Sequence, residues 1–516
     1  MITDKELVFV REALEMARAA GAQHARATLS VSEEDLVATL DGEVDRVTHC
    51  ADRSLSMALF VDGRYGSYST NKLDRDSLEG FIRQAVAATR MVAEDPCRTL
   101  PDPARCCRDA LTGNELGLVD PARDTLTPST RQQLALDASV ARFEAGLLPR
   151  GESQESDNFA GSQNSPISSD PTTDVVPPLP SRPSGQVPPN RGCRGLEEKP
   201  ACWQAPAGAA PCHRTKTEAN YKIVSEEGEY SDSIYDSVVM DTNGVCCRHS
   251  ESSFDYGVEI TIESGGQKYS GYWWDASSRL AELDAPACGR KALERAVGQI
   301  GSKPARSGRY TAVIDAEMAS KMVSPLLRAL SGYSIQQHNS FLMDSLGRQL
   351  FPEGLTLMDV PRIPGQTCSK YFDSEGVATV EAPIVERGVV REYFINTYMA
   401  NKMQMAPTVE DATRAKVLPW PEAGLDREAI LRRCGSGILV TDFNGGNSNP
   451  VTGDFSYGIE GYLFKDGRIV RPVSEMLMTG NFLTLWARLI AAGDDARPCQ
   501  SKLIPTLAFA EVDFNG

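Results

Sequence analysis

The sequence predicts an α+β fold built from antiparallel sheets that are covered by helices, and three observations support this prediction. Short runs of alternating apolar and polar residues recur in the 516-residue chain, as expected for strands with one buried face. The turn signals Asp41-Gly42 and Asp62-Gly63 follow two of these runs, which is typical of hairpins. Helical segments flank the first runs, so the order is helix, antiparallel strands, helix, and not the alternation of a parallel sheet.

An N-terminal α+β domain is predicted over residues 1–112. Thr3 and Glu6 form a capping-box pair ahead of an apolar helical face, and Gly21 is suited to close that helix. The elements predicted in this domain are a helix over 4–20, strands over 26–31, 35–40 and 55–61, and a helix over 76–93. Together they form an antiparallel sheet with covering helices.

A strand-rich middle domain is predicted over residues 113–305. Its strand-like runs include 257–262 and 269–274, and the second run contains Trp273 and Trp274. Neighbouring residues of a strand face opposite sides, and we expect both tryptophans to be core residues.

The middle domain is expected to be interrupted at about residues 146–216. Pro, Ser, Gly and Arg dominate that stretch and no apolar period survives in it. Such a composition cannot bury enough surface to offset the entropy lost on ordering, so we expect disorder. The stretch is either a dispensable insertion or an error in the gene sequence.

A mixed, β-rich C-terminal domain is predicted over residues 306–516. Its predicted elements are a strand over 310–314, a helix from Ala316, β runs between 378 and 399, and a helix over 481–492 that Gly493 caps. Pro325 lies within the helix that begins at Ala316. Because proline removes a helical hydrogen bond, we expect one helix to end near Met322 and another to begin at the proline.

The composition and charge of the chain argue against several classes of protein. The formal net charge of -17 repels phosphate backbones, which disfavours direct nucleic-acid binding. No apolar run reaches the length of a membrane span, and the charged N-terminus does not resemble a secretion signal, so a cytoplasmic protein is expected. The thirteen cysteines contain no C-x-x-C pair, which argues against both a disulfide framework and a zinc ribbon.

A search for catalytic motifs excludes the common ones. None of the five histidines is followed by Glu, so there is no H-E-x-x-H zinc helix. The chain also has no phosphate-binding loop, dinucleotide fingerprint or G-x-S-x-G elbow. The most unusual stretch is residues 445–458, whose glycines and turn formers allow close approach of a ligand or of another chain. The alternative is a tight hairpin loop without a partner.

Residues 449–458, with the sequence NPVTGDFSYG, resemble the signature of the PmbA (TldE) branch of the TldD/PmbA family. Further segments strengthen the resemblance: Ser340 to Gly347, Pro472 to Glu475, Thr479 to Asn481 and Ser252 to Gly257. Together they span most of the chain outside residues 146–216, where we see no resemblance.

The resemblance implies a cytoplasmic complex of two related subunits that processes peptides, whose members are also labelled modulators of DNA gyrase. Zinc belongs to the TldD-like subunit, in an H-E-x-x-x-H motif on a helix. If this chain is aligned with that motif without gaps, Val323, Ser324 and Arg328 stand at the positions of the motif's His, Glu and His. None can bind zinc as required, so this chain is expected to be a non-catalytic subunit without a metal or cofactor of its own.

The expected partners are a TldD-like subunit and, through the complex, peptides. Whether the chain forms a homodimer when no partner is present stays open. The residues we expect at the subunit contact or the peptide cleft are Asn449, Thr452, Gly453, Asp454, Ser456 and Gly458. Two alternatives stay open. One is an independent hydrolase that uses Cys368 or Cys434 with His338, and the other is a regulator that binds topoisomerase.

Overall fold

The computed structural model describes residues 1–140, 221–366 and 368–516. The stretch at 146–216, for which disorder was expected, lies outside these residues. The helices are α1 (Asp4–Ala19), α2 (Arg75–Thr89), α3 (Pro128–Asp137), α4 (Ala285–Gly298), α5 (Ala316–Ala329), α6 (Gly332–Gln336), α7 (Thr397–Met403), α8 (Arg427–Cys434) and α9 (Phe482–Ala487). No helix in the described ranges is long and apolar enough to cross a membrane.

The strands within the described ranges form three sheets. They are β1 (His24–Leu40), β2 (Glu43–Val61), β3 (Arg64–Thr70), β4 (Lys222–Asp241), β5 (Cys246–Ser264), β6 (Gln267–Ser277), β7 (Gly308–Ile314), β8 (Leu357–Asp359), β9 (Ala382–Glu386), β10 (Val389–Val390), β11 (Ala415–Val417), β12 (Gly437–Ser448), β13 (Asp454–Lys465), β14 (Arg468–Asn481), β15 (Leu489–Ala492) and β16 (Leu507–Asn515). Their mixture with helices confirms the predicted α+β class.

The first sheet has the order β3-β2-β1-β4-β5-β6, and every neighbouring pair is antiparallel. Both predicted hairpin turns are confirmed. Asp41 and Asp62 have φ of 49° and 51°, and each is followed by a glycine with positive φ. β1 is one strand where two were predicted. Ser32 lies between the two predicted runs and pairs with both β2 and β4. Pairing on both sides therefore keeps the polar residues between the runs in the strand.

Strands on both sides of the boundary predicted near residue 112 share this sheet, because β1 pairs with β4. α1 and α2 cover one part of it, and their buried faces pack on Leu29 and Leu55. α3 and α4 cover another part around Tyr230 and Phe254. α1 begins with the predicted capping box, in which the backbone and side chains of Thr3 and Glu6 bond reciprocally. The division into three domains stays a proposal.

The C-terminal region contains a sheet of order β14-β13-β12-β7-β16-β15, in which β14 also pairs with β16 and so closes the sheet. β7 and β12 are parallel neighbours, whereas the other pairs of this sheet are antiparallel. A smaller sheet of order β10-β9-β8-β11 lies in the same region. The main core of the molecule fills the space between α5 and these strands.

The expected break at Pro325 is wrong, because α5 runs unbroken from Ala316 to Ala329 with the proline inside it. Met322 and Leu326, on either side of the proline, are almost completely buried. Burying such a side chain stabilises by roughly 1.5 to 3 kcal/mol, while an interior proline costs about 3 kcal/mol. Packing of the two flanking turns is therefore enough to hold the helix together.

The predicted helix over 481–492 is correct only in its first half. α9 ends at Ala487, and residues 489–492 form β15, where Leu489 and Ala492 pair with β16. The β runs predicted between 378 and 399 are realised as β9 and β10, and α7 begins at Thr397. Short apolar segments fit either a strand or a helix, and here the neighbouring strand decides.

The two tryptophans are not fully buried, although Trp273 packs against the apolar cluster around Tyr230 and Phe254. Trp273 and Trp274 are both only half-buried, and cations lie over the Trp273 ring. Lys291 Nζ, the Arg497 guanidinium and the Arg295 guanidinium stand 4.3, 4.4 and 4.8 Å from its centroid. The indole therefore packs beneath charged side chains at the boundary with the C-terminal region.

Candidate functional site

The Gly-rich signature forms the hairpin loop between β12 and β13. Asn449 N donates to Asp454 O and Gly453 N donates to Asn449 O, both at 2.8 Å. The Asn449 side-chain oxygen accepts from Val451 N at 2.9 Å. Gly453 has a φ of +80°, which favours glycine. The loop is thus closed by its own backbone.

Asp454 stabilises this loop. Its carboxylate accepts from Thr452 Oγ1 at 2.7 Å and from Asn481 Nδ2 at 2.9 Å. These two hydrogen bonds, with Asn481 as the larger contributor, lower the pKa of Asp454 below its ordinary value. The carboxylate therefore stays ionised and ties the loop to the start of α9, which makes it a poor general acid.

The six signature candidates differ in accessibility. Asn449, Thr452, Asp454 and Ser456 are exposed, Gly453 is buried and Gly458 is half-buried. Ser456 and Gly458 lie within β13, where they pair with β14 and with the glycine-containing end of β12. Only Asn449 of these six lines the cleft described next, and a role at a subunit contact stays a prediction for all of them.

A small cleft of about 170 Å³ lies between α5 and the signature loop. Its lining residues are Ser324, Pro325, Arg328, Ala329, Phe341, Ser448, Asn449, Pro450 and Phe482. Phe341 N donates to Pro450 O at 3.0 Å, which fixes one wall to the loop. Ser324 and Arg328, two of the three positions aligned with the zinc motif, thus line the same cleft as the signature loop.

Aromatic side chains support the apolar wall of the cleft. The rings of Phe341 and Phe482 are stacked with centroids 5.9 Å apart, and Phe455 lies 4.8 Å from Phe482. Phe341, Pro450 and Phe482 were not predicted as site residues. The sequence did contain a signal for Phe341 and Phe482, since the family-like segments at 340–347 and 479–481 contain or adjoin them.

The side chains at the carried-over positions do not fit a zinc ion. Val323 has no ligand atom and is fully buried in the core. Ser324 Oγ donates to the Ser320 carbonyl at 2.8 Å, and Arg328 is a permanently charged, exposed cation. Zinc prefers thiolate, imidazole and carboxylate ligands. Within the described part of the chain, no group of three or more His, Cys, Asp or Glu side chains is placed to hold a metal.

The cysteines proposed as nucleophiles have different surroundings. Burial raises the pKa of Cys434 to about 11, so its thiol is protonated at neutral pH. Cys368 lines a second cavity together with His249 and Glu251, whereas His338 is exposed and is not among the residues that line it. Sequence reasoning missed His249, because nothing in the spacing links it to Cys368.

Models of three domains of one family match the chain. The PmbA/TldA metallopeptidase C-terminal domain matches residues 307–516, the central domain 196–300 and domain 1 residues 27–89. The central match begins inside the stretch at 146–216, where we expected no resemblance, so that expectation is wrong for residues 196–216.

Curated relatives match over most of their length. Metalloprotease PmbA of Escherichia coli O157:H7 is 24% identical over 92% of this chain and 89% of its own. The Metalloprotease PmbA homolog of Haemophilus influenzae is 24% identical over 94% and 90%. The similarity therefore extends over all three predicted domains.

Solved structures show the same fold. A proposed modulator of DNA gyrase from Bacteroides thetaiotaomicron superposes with a TM-score of 0.81 at 33% identity, and all of both chains is covered. TldE from Thermococcus kodakarensis superposes with a TM-score of 0.72 at 15% identity over 98% of this chain and 100% of its own.

Proposed function

The chain belongs to the PmbA/TldD metallopeptidase family, and from this premise we propose that it is the non-catalytic subunit of a two-subunit peptide-processing complex. Zinc then resides in a TldD-like partner, and the PmbA-like chain shapes the peptide cleft. The complex is cytoplasmic and acts on peptides, not on nucleic acid, in keeping with the net charge of -17.

The observation that carries the proposal is the chemistry of Val323, Ser324 and Arg328, none of which is a ligand that zinc prefers. In the gapless alignment that the resemblance implies, a buried valine, a serine bonded to its own helix and an exposed arginine take the positions of the motif's two histidines and its glutamate. The relatives are called metalloproteases, but this chain lacks those ligands at the carried-over positions. Metal-dependent cleavage therefore has to come from another subunit.

The proposal is tested by incubating a fluorogenic peptide library with this chain, with a TldD-like subunit, and with both. We expect rapid cleavage only by the mixture, loss of cleavage with a chelator, and less than about 0.1 zinc per molecule of this chain alone. Size-exclusion chromatography should show a mixed complex, with a homodimer only where the partner is left out. Chelator-resistant cleavage by this chain alone would contradict the proposal.

The cleft is tested within that complex by Arg328→Ala. We expect the KM of the mixture for peptides to rise by about tenfold, because Arg328 is the exposed cation of the cleft and is available to a peptide carboxylate. Arg387→Ala is the matched control, because Arg387 is exposed and outside the cleft. Equal effects of the two variants would show that the cleft does not contact peptide.

A second candidate is an independent thiol hydrolase, and the placement of Cys368 beside His249 and Glu251 in one cavity favours it over the pairing with His338. Cys368→Ala separates the two candidates, since it should leave the activity of the mixture unchanged under our proposal. The third candidate, a topoisomerase-binding regulator, rests on the description of the Bacteroides relative. A pull-down with purified gyrase and with a TldD-like subunit as competing baits tests it.

A further inference from the structure

One edge of the first sheet has no neighbouring strand within the described residues. β2 pairs with β1 along its whole length, whereas β3 pairs only with residues 55–61 of β2. The outer backbone edge of residues 43–54 therefore has no strand beside it in the part of the chain that the structure describes. An open edge of this kind presents N–H and C=O groups to which a strand of another chain can add.

The side chains of this open edge are exposed on both faces of the strand. Residues 43–47 and 49–53 are exposed, and Thr48 and Ser54 are half-buried. Val47 is 54% exposed, although it pairs with the buried Val37 of β1. Proteins protect long open strands by charges, by bulges or by covering them, so the charges on this edge decide what it can pair with.

The charges of the open edge are symmetric in position and opposite in sign about His49. Arg46 and Asp52 lie at equal distances before and after His49 in the sequence. Asp45 and Arg53 lie one position further out on each side, again with opposite signs. A strand with this pattern is complementary in charge to its own reversed copy.

The inner pair of charges is available to another chain. The ion pairs of this segment join His49 to Asp35 and Arg53 to Glu6. Arg46 and Asp52 have no ion pair with another residue of the described chain, and both are exposed. Their pairing with a second strand would therefore not compete with an ion pair inside the chain.

The symmetry favours one register of pairing. If two copies of β2 pair antiparallel about a two-fold axis at His49, Arg46 stands opposite Asp52 of the second copy, and Asp45 opposite its Arg53. Val47 then stands opposite Ala51. Opposite charges that face each other stabilise a strand pair, whereas like charges keep strands apart.

We propose that two copies of this chain pair through the open edge of β2, antiparallel about a two-fold axis at His49, so that their six-stranded sheets form one continuous sheet. The occupant is a second copy because the edge is complementary to itself. The proposal concerns the chain by itself and does not rest on a TldD-like subunit or on peptide cleavage.

Sedimentation equilibrium of the full-length chain tests the charge pairing. We expect a dimer at micromolar concentration. Asp52→Arg and Arg46→Asp should each raise the Kd of the dimer about tenfold, because each puts like charges opposite each other. An equal mixture of the two variants should dimerise about as tightly as the natural chain, because one variant then has arginine at both positions and the other has aspartate.

Glu15→Arg is the matched control for the charge variants. Glu15 is exposed on α1, outside the open edge, and its substitution changes the net charge by as much as Asp52→Arg does. The Kd of this control should stay close to that of the natural chain.

Cysteine cross-linking locates the axis. In a Cys50→Ser background, His49→Cys should form a disulfide between two copies in the presence of diamide, because residues at the axis face each other with Cα atoms about 4.5 to 5.5 Å apart. Val47→Cys in the same background is the matched control, since its two copies lie about 14 Å apart along the paired strands. Cys50→Ser alone measures cross-linking through the other cysteines.

Several outcomes would overturn the proposal. These are a monomer throughout the micromolar range, charge variants that behave like Glu15→Arg, a mixture that fails to dimerise, and equal cross-linking of Val47→Cys and His49→Cys. If the chain alone is monomeric and His49→Cys cross-links only to an added TldD-like subunit, the edge belongs to that subunit and the proposal is likewise wrong. None of these measurements involves peptide cleavage, so their outcome is independent of the proposed function.

Discussion

At the scale of single residues, Gly453 couples the signature loop to the aromatic wall of the cleft. Its carbonyl accepts from Phe482 N at 2.8 Å. A Cβ added at its φ of +80° would lie 3.0 Å from Phe341 Cγ. Gly453 is therefore constrained by both its backbone conformation and its neighbour.

Gly453→Ala should lower the free energy of unfolding by about 2 kcal/mol, because it adds a steric conflict to the cost of positive φ, which is about 1 kcal/mol by itself. Gly424→Ala is the matched control, since Gly424 has a φ of +79° with nothing within 4 Å of the added Cβ. We expect the control to lose only about 1 kcal/mol in urea denaturation. Gly453→Val should in addition weaken pairing with a TldD-like subunit. Equal losses of stability for Gly453→Ala and Gly424→Ala would show that the Phe341 ring moves aside without cost.

Asp373 makes stability depend on pH. Its pKa is raised from 3.8 to about 6, chiefly by burial. The stabilising contribution of a raised carboxyl pKa is fully present below pH 3.8 and is lost as the pH rises through 6. Asp373→Asn removes this dependence. The free energy of unfolding of the variant relative to the natural chain should therefore rise by about 1 kcal/mol between pH 5 and pH 7.5.

Denaturant titrations at the two pH values measure this double difference. Subtracting the natural chain from the variant at each pH removes the contribution of the other titrating groups. Subtracting one pH from the other removes the cost of losing the hydrogen bond from Val377 N to the Asp373 carboxylate, at 3.0 Å, since that cost is the same at both pH values. A difference that is independent of pH would mean that Asp373 titrates at its ordinary value.

At the scale of elements, α5 shows that packing overrides a local breaking signal. Pro325 lies in the helix interior, where its ring replaces an N–H donor. Pro325→Ala should raise the free energy of unfolding by about 1 to 3 kcal/mol in chemical denaturation, because it restores one hydrogen bond and removes a steric conflict.

The neighbouring Ser324→Ala is the control for that substitution, since it removes only the side-chain bond to the Ser320 carbonyl. We expect it to change stability by less than about 0.5 kcal/mol. A loss of stability in Pro325→Ala would show that the proline ring contributes packing in the cleft that outweighs its effect on the helix.

At the scale of the whole molecule, Glu317 joins the first sheet's covering helix to the C-terminal region. It is 7% exposed and contacts the guanidinium groups of Arg295 from α4 and Arg497 near the C-terminus. Arg497 also donates to Trp274 O at 2.6 Å. Three parts of the chain that are distant in sequence thus share one buried carboxylate.

Glu317→Gln should lower the free energy of unfolding by about 3 kcal/mol, because it removes the carboxylate that two partly buried cations share and leaves Arg497 with only its longer ion pair to Asp275, at 3.5 Å. Glu353→Gln is the matched control, as its ion pair with Arg387 is exposed on both sides, and we expect less than about 0.5 kcal/mol there. Thermal and urea denaturation measure both variants. Losses of the same size for Glu317→Gln and Glu353→Gln would show that the buried network stabilises the protein no more than a surface ion pair does.

The expectation that the stretch at 146–216 is dispensable is tested by a deletion within it. Val140 and Tyr221, at the edges of the described ranges, belong to the same apolar cluster. A deletion of residues 151–195, which ends before the match to the family's central domain begins at residue 196, should therefore leave folding and pairing with a TldD-like subunit intact, because closing a loop costs free energy that grows only slowly with its length. Loss of folding in circular dichroism or loss of pairing would show that the stretch belongs to the structure.

The sequence alone determined the features that depend on neighbouring residues and on family signatures. The capping box at Thr3, both hairpin turns of the first sheet and the α+β class could be predicted because a few adjacent residues decide each of them. The family could be recognised from the segments around residues 340–347 and 449–458, since each is a short run that is read directly from neighbouring residues.

Only the tertiary structure decided where local signals were weak or opposed by packing. It joined two predicted strands into β1, kept α5 whole across Pro325 and turned residues 489–492 into a strand. It also brought Arg328 to Asn449, and His249 to Cys368, from positions more than a hundred residues apart. Such contacts arise from burial and strand pairing between distant segments, which the spacing of residues along one chain does not encode.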